Sequence, residues 1–304
     1  MVPGRRASTD RRVSAARLAL GACLLFGAVV LTRRLRTAVA RARSNARDVP
    51  LSPLLGDRRI GADWPERRGI VTDERPVGEV DDLDVFARPD FDPAAVHPAV
   101  RRFYERTGEY DLHAVVTWHR GFRVGAALAT RLTSRIQQLD LPGPWDDGTL
   151  HLRSRLAGVR PDADPREGAR AWVRTDARTG EAVFVAVYAT HERGGERYSN
   201  VAVPLPWSNL STVLHVDAFD GTAAGSGVEL TTRAPGDPGL YLVTPAGAVS
   251  LPLAQRFRVW PADAPGAPAD PTSGEAVAVA THEMWVFDRQ FLTIRYGVVR
   301  ETVV

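Results

Sequence analysis

The stretch EAVFVAVYATHE, residues 181–192, decides the fold. Its β-branched and aromatic side chains favour an extended chain. Hairpin-type signals bound it on both sides, RTGE at 178–181 and RGGE at 193–196. Val183, Val185 and Val187 fall on one side of the strand and Phe184, Ala186 and Tyr188 on the other, so both faces are apolar. Such a strand is either buried on both sides or has one face lining a ligand cavity.

The same grammar extends outward in both directions. TLHLRSRLAGV, ARAWVRT, RYSNVAVPLP, STVLHVDAF, GVELTTR, GLYLVT, AVSLPL, RFRVWP, EAVAVATHEMWVF and FLTIRYGVV follow at short intervals, with PGDPG and PAGA among the turns. No helical pattern interrupts them. A run of about eleven short strands means an antiparallel sheet closed into a barrel or strongly curved. Two helices should precede it. HPAVRRFYERTGEY starts with Pro98 in a first turn and puts Val100, Phe103 and Tyr104 on one face. FRVGAALATRLTSRIQQL spaces Val124, Leu128, Leu132 and Ile136 four apart, with Arg120, Arg123, Arg131 and Arg135 around them. Between them LHAVVTWH alternates as a strand, with Leu112, Ala114, Val116 and Trp118 on one side.

Charge divides the chain. All 39 basic residues are arginine, and lysine is absent. Residues 1–43 form a basic tail and 44–96 a Pro/Gly-rich acidic linker, including VTDERPVGEVDDLDVFARPDFDP; residues 97–304 are the β-rich domain. The linker reads as a tether, or alternatively as an arm docked through Val85, Phe86 and Phe91. The body after residue 50 is net acidic, which argues against a nucleic-acid partner. Without lysine there is no phosphate-loop lysine, Schiff base or Ser–Lys dyad. The single cysteine, Cys23, leaves the body without thiolate chemistry or cysteine-held metal.

Leu18–Thr32 (LALGACLLFGAVVLT) carries no charge between Arg17 and Arg33. A helix of that length reaches roughly 22 Å, and its flanking arginines snorkel to extend it. It is read as a single uncleaved membrane anchor, in preference to a lipoprotein, twin-arginine or cleaved signal. Five arginines precede it and six follow, so the positive-inside rule tips only slightly toward a cytoplasmic body.

HPAVRRFYERTGEYDL, WHR (118–120), RAWVR, PLPWSNL, GLYLV and HEMWVF with FLTIRYG together resemble the C-terminal domain of YndJ-like proteins, a family without assigned activity, over about residues 97–297. The resemblance implies a membrane setting and carries over no functional residues.

The four letters ATHE recur at 189–192 and 280–283. On a regular strand each His and Glu point to opposite faces, so neither pair can ligate one ion. A metal site would need His191 and His282 on adjacent strands plus a third ligand such as His119 or His215. VLHVDAFDGT spaces Asp217 and Asp220 wrongly for a phosphatase loop, and neither a G-x-S-x-G elbow nor a second histidine for H-E-x-x-H is present. No cofactor is called for. The expectation is therefore a membrane-anchored domain that binds rather than catalyses. Its ligand is a lipid or other apolar molecule, held between the sheet and the helix of residues 121–139, with Trp118, Val124, Leu128, Tyr188, Trp207 and Trp285 as candidate contacts. The alternatives are a protein-interaction module of a membrane complex and a hydrolase or metal-dependent enzyme with a dispersed site.

Overall fold

The opening stretch folds as β4 (Ala182–Arg193) and returns as β5 (Glu196–Leu205). Gly194 and Gly195 form the two-residue turn at φ 65° and 80°, the left-handed pair that a tight hairpin requires. The computed structural model describes residues 30–222 and 224–301. Helix α1 covers residues 30–46 of these; α2 (Trp64–Arg67) and α3 (Pro98–Glu105) follow. Then come β1 (Tyr110–Trp118), α4 (Arg123–Ile136), β2 (Leu150–Gly158) and β3 (Glu167–Asp176). After β5 the chain forms β6 (Ser208–Thr222), β7 (Gly225–Thr231), β8 (Gly239–Thr244), β9 (Gly247–Ser250), β10 (Leu253–Pro261), β11 (Ala278–Val286) and β12 (Arg289–Arg300).

All ladders are antiparallel, in the order β5-β4-β3-β2-β1-β12-β11-β10-β7-β6, and β6 pairs back onto β5 to close ten strands into a barrel. The closure depends on the length of β6. Ser208–Leu214 pairs with β5, while the stretch from His215 onward pairs with β7. The β8–β9 hairpin extends from the Asn209–Val213 part of β6 and stays outside the ring.

The two apolar faces of β4 go to two cores. Ala186 and Tyr188 pack inside the barrel with Trp172, Leu112, Leu214 and Leu230. Val185 and Val187 face outward and are covered by Leu54, Ile60, Trp64 and Ile70. Those four belong to the segment expected as a tether, which the structure corrects to an ordered arm along the barrel wall. Phe86 and Phe91 dock as the alternative required, although Val85 stays exposed. The acids that suggested a solvated linker have arginine partners: Asp82 and Asp84 with Arg101, and Asp81 with Arg170. Asp82 and Asp92 also cap short 3-10 turns. The apolar residues follow neither helical nor strand spacing because each fills its own hollow.

The expected anchor, residues 18–32, lies almost wholly outside the described residues. Among the described residues no helix is long and apolar enough to cross a membrane.

Trp64 is fully buried under the arm. Trp64→Ala should cost about 3–5 kcal/mol of stability, measured as a lowered urea midpoint. A residue in a free tether would leave the midpoint unchanged.

Candidate binding site in the barrel interior

Strand β3 places Trp172 and Arg174 two residues apart and therefore on the same inner face. The Arg174 guanidinium lies 3.7 Å from the Trp172 ring centre and 5.0 Å from that of Phe184. Its Nη2 donates to the Tyr188 hydroxyl at 2.9 Å. Trp172, Arg174 and Tyr188, with Tyr296 of β12, border an interior cavity of about 60 Å³ whose apolar walls include Leu112, Leu214, Leu230 and Val259.

The arm and α3 contribute Glu79 and Tyr104 to the cavity. The fit of Glu79 is close: a Cβ on Gly78 would stand 2.3 Å from the Glu105 backbone, so only glycine lets the arm cross α3 here. Arg170 grips both sides of Glu79, donating to the Gly78 carbonyl at 2.9 Å and to the Asp81 carboxylate at 3.0 and 3.1 Å. The Glu79 amide donates to Thr107 Oγ1 at 2.9 Å.

Burial dominates the electrostatics. It pushes the Glu79 carboxyl up to about 7, against the opposing pull of Arg174 and Arg170. Burial likewise raises the Tyr104, Tyr188 and Tyr296 hydroxyls. His282, on the inner face of β11, falls to about 3 through burial first and the Arg174 charge second. Its ring stacks on Phe257 with centroids 3.7 Å apart, and Nε2 meets Gln255 Oε1 at 3.0 Å.

Of the six ligand contacts expected from sequence, Tyr188 alone lines this cavity. Trp118 packs against the same core and donates through Nε1 to the Pro142 carbonyl at 2.9 Å. Trp285 lies beneath the guanidinium groups of Arg233 and Arg256, at 4.6 and 5.5 Å. Trp207 occupies the two-residue turn between β5 and β6, 68% exposed and at φ 54°. Val124 and Leu128 are 71% and 65% exposed, because α4 turns Ala126 toward the protein and its large apolar residues away. The groove between α4 and the barrel, about 730 Å³, is bordered by Asp140, Asp146, Asp176 and Glu181 as well as by Leu141, Leu150 and Val183, so its lining is mixed where an apolar seam is expected. Glu79, Trp172, Arg174 and Tyr296 did not figure among the expected contacts. The available signal was ARAWVRT itself, where an arginine shares strand parity with a tryptophan.

The two ATHE histidines do not meet, which corrects the two-histidine metal arrangement. His282 faces inward, whereas His191 shares the outer face with Val185 and Val187, and β4 and β11 are not neighbours. His191 has both ring nitrogens engaged: Nε2 donates to Asp237 Oδ2 at 3.0 Å, and Nδ1 accepts from Asn200 Nδ2 at 2.8 Å. His119 meets Thr293 Oγ1, and His215 pairs with Glu196. Among the described residues no group of three or more His, Cys, Asp or Glu side chains has a metal-holding arrangement.

No protein-family model matches the chain, and no solved structure matches it. It is 33% identical over 251 residues to a protein of Bacillus subtilis (strain 168) described as "Uncharacterized membrane protein YndJ". The chain belongs to a YndJ-like family. The match takes in 81% of this chain but 42% of the relative, so the chain spans less than half of that protein's length. A match of that extent is longer than residues 97–304 alone, and it therefore reaches back into the arm that supplies Glu79.

Glu79→Gln isolates the buried acid. With its folded pKa above the ordinary 4.5, the unfolded chain releases the proton first, and stability falls as pH rises from 4.5 to about 7. Wild type and variant should be equally stable below that window, and the variant more stable above it by up to roughly 3 kcal/mol. Urea midpoints across the range provide the measurement; the His282 contribution is common to both proteins and cancels.

Proposed function

We propose that the chain is a non-catalytic binding module seated on a membrane surface, attached by Leu18–Thr32 and by α4. The observation that carries this reading is the orientation of α4. Val124, Leu128 and Leu132 recur every four residues and are 71%, 65% and 62% exposed. Residues 120–139 contain four arginines and no acid, and none of the four is in an ion pair among the described residues. A soluble domain gains nothing from an apolar stripe turned to water. At a bilayer interface each of the three side chains contributes about 1–2 kcal/mol on burial. Each arginine beside anionic headgroups adds about 1 kcal/mol.

Helix α1 repeats the composition, with Leu31, Leu35 and Val39 exposed four apart among Arg33, Arg34, Arg36 and Arg43. The membrane description of the Bacillus relative supports the same setting. The lipid partner in this reading is the bilayer surface rather than an acyl chain within the domain. Anionic lipid is enriched in the cytoplasmic leaflet, in keeping with the slight arginine excess after the anchor. A second reading, a protein-contact module, is favoured by Trp207, whose exposed ring sits on a strained turn.

The test uses the chain truncated before residue 30, so that attachment rests on the described residues. It should sediment with vesicles of equimolar phosphatidylcholine and phosphatidylglycerol and not with phosphatidylcholine alone. Leu128→Asp with Leu132→Asp should weaken binding at least about tenfold. Arg131→Glu with Arg135→Glu should remove the preference for the anionic lipid. Vesicle binding that ignores both pairs of changes would refute the seat on α4.

A further inference from the structure

Three inner-wall donors stand together on β2 and β3. Ser154 and Arg174 are partners in the antiparallel register, and Trp172 lies two residues from Arg174 on the same face. The Ser154 hydroxyl, the Trp172 indole N–H and the Arg174 Nε–H are all buried without a hydrogen-bond partner among the described residues. Arg174 makes no ion pair with a carboxylate among them either; Glu79 acts on it only through space. Arginine carries its charge throughout, and buried donors without acceptors are exceptional in folded proteins. The Tyr188 hydroxyl accepts from Arg174 and keeps its own proton to donate. The wall thus offers several donors and one fixed positive charge beside a cavity of about 60 Å³, whose lining also holds Glu79, a carboxyl that burial keeps protonated below about pH 7.

We propose that the barrel interior is a binding site for a carboxylate, held by Arg174, Trp172 and Tyr188, with its short apolar end against Leu112, Leu214 and Val259. The positive charge selects an anion. The apolar walls select an organic acid over an inorganic ion, which would leave them without contact. A planar carboxylate also presents two acceptor oxygens to donors spread over adjacent strands, as guanidinium–carboxylate recognition requires. The size of the cavity fits an acid of propionate length. It is well below the volume of about 150 Å³ that accommodates a benzene ring in an apolar core. Ala280, also on the cavity wall, offers a way to fill the space without touching a donor. The site is independent of how the domain is seated on a membrane.

Calorimetric titration of the full chain with sodium propionate, at constant ionic strength against sodium chloride, tests the proposal. One-to-one binding of propionate is expected. Trp172→Phe, which keeps the ring and removes the N–H, should weaken it about tenfold. Arg174→Gln should abolish it, and so should Ala280→Leu, which leaves every donor in place; circular dichroism checks that each variant is folded. Decanoate is the second ligand. Competition between decanoate and propionate would identify the site as the receptor for the head of a longer acid, with the arm displaced, whereas binding of propionate alone would identify a small free acid. Absence of propionate binding, or equal binding by wild type, Trp172→Phe and Ala280→Leu, would overturn the proposal and leave the donors to water.

Discussion

The pairing of Ser208–Leu214 with β5 turns a sheet into a barrel and gives every strand an inside and an outside. An open sheet of these strands would expose two edges and would not need two separate cores. Closure makes the inner face scarce and the outer face long. Ten strands enclose more width than the eight that side chains fill comfortably. Trp172, Tyr104, Tyr188, Phe257 and Tyr296 take up most of that width and leave the small cavity. On the outside the same curvature leaves Val185 and Val187 of β4 without a second sheet, so the arm must cover them. Barrel and arm are therefore one folding unit.

The strand pattern was legible because alternation and turn residues are local properties. EAVFVAVYATHE, the Gly194–Gly195 hairpin and the one-sided set Leu112, Ala114, Val116 and Trp118 are all legible in the sequence, and the barrel turns that set inward. What escaped the sequence depends on partners far along the chain. Asp81, Asp82 and Asp84 look like solvating charges until Arg170 and Arg101 are beside them. The apolar stripe of α4 was plain in its four-residue spacing, yet periodicity states only that a stripe exists, not which way it faces. The inner position of Arg174 requires the register of β3 against β2 and β4, which no window of sequence contains.

The two ATHE segments show the same division between local and global. Each ends a valine- or alanine-rich strand, and each histidine shares its parity with the preceding small residues. On β4 that parity points outward, to a histidine held by Asn200 and Asp237. On β11 it points inward, to one stacked on Phe257. Identical tetrapeptides thus face opposite sides of one wall, because the side is set by where each strand enters the barrel rather than by its own residues.

The polar interior is costly to stability, which is an argument about purpose. Arg174 and Glu79 inside an otherwise apolar barrel gain no ion pair with each other that would offset their desolvation, and replacing such groups with well-packed hydrocarbon is commonly neutral or stabilising. Yet considerable structure holds Glu79 in place: a glycine that no other residue could replace, the two-sided Arg170 grip and the Thr107 hydroxyl. A barrel arranged only to be stable would need none of it. Burial that weakens the fold and positioning that fixes the group together mark the interior, rather than the groove beside α4, as the part of the domain built around something other than its own packing.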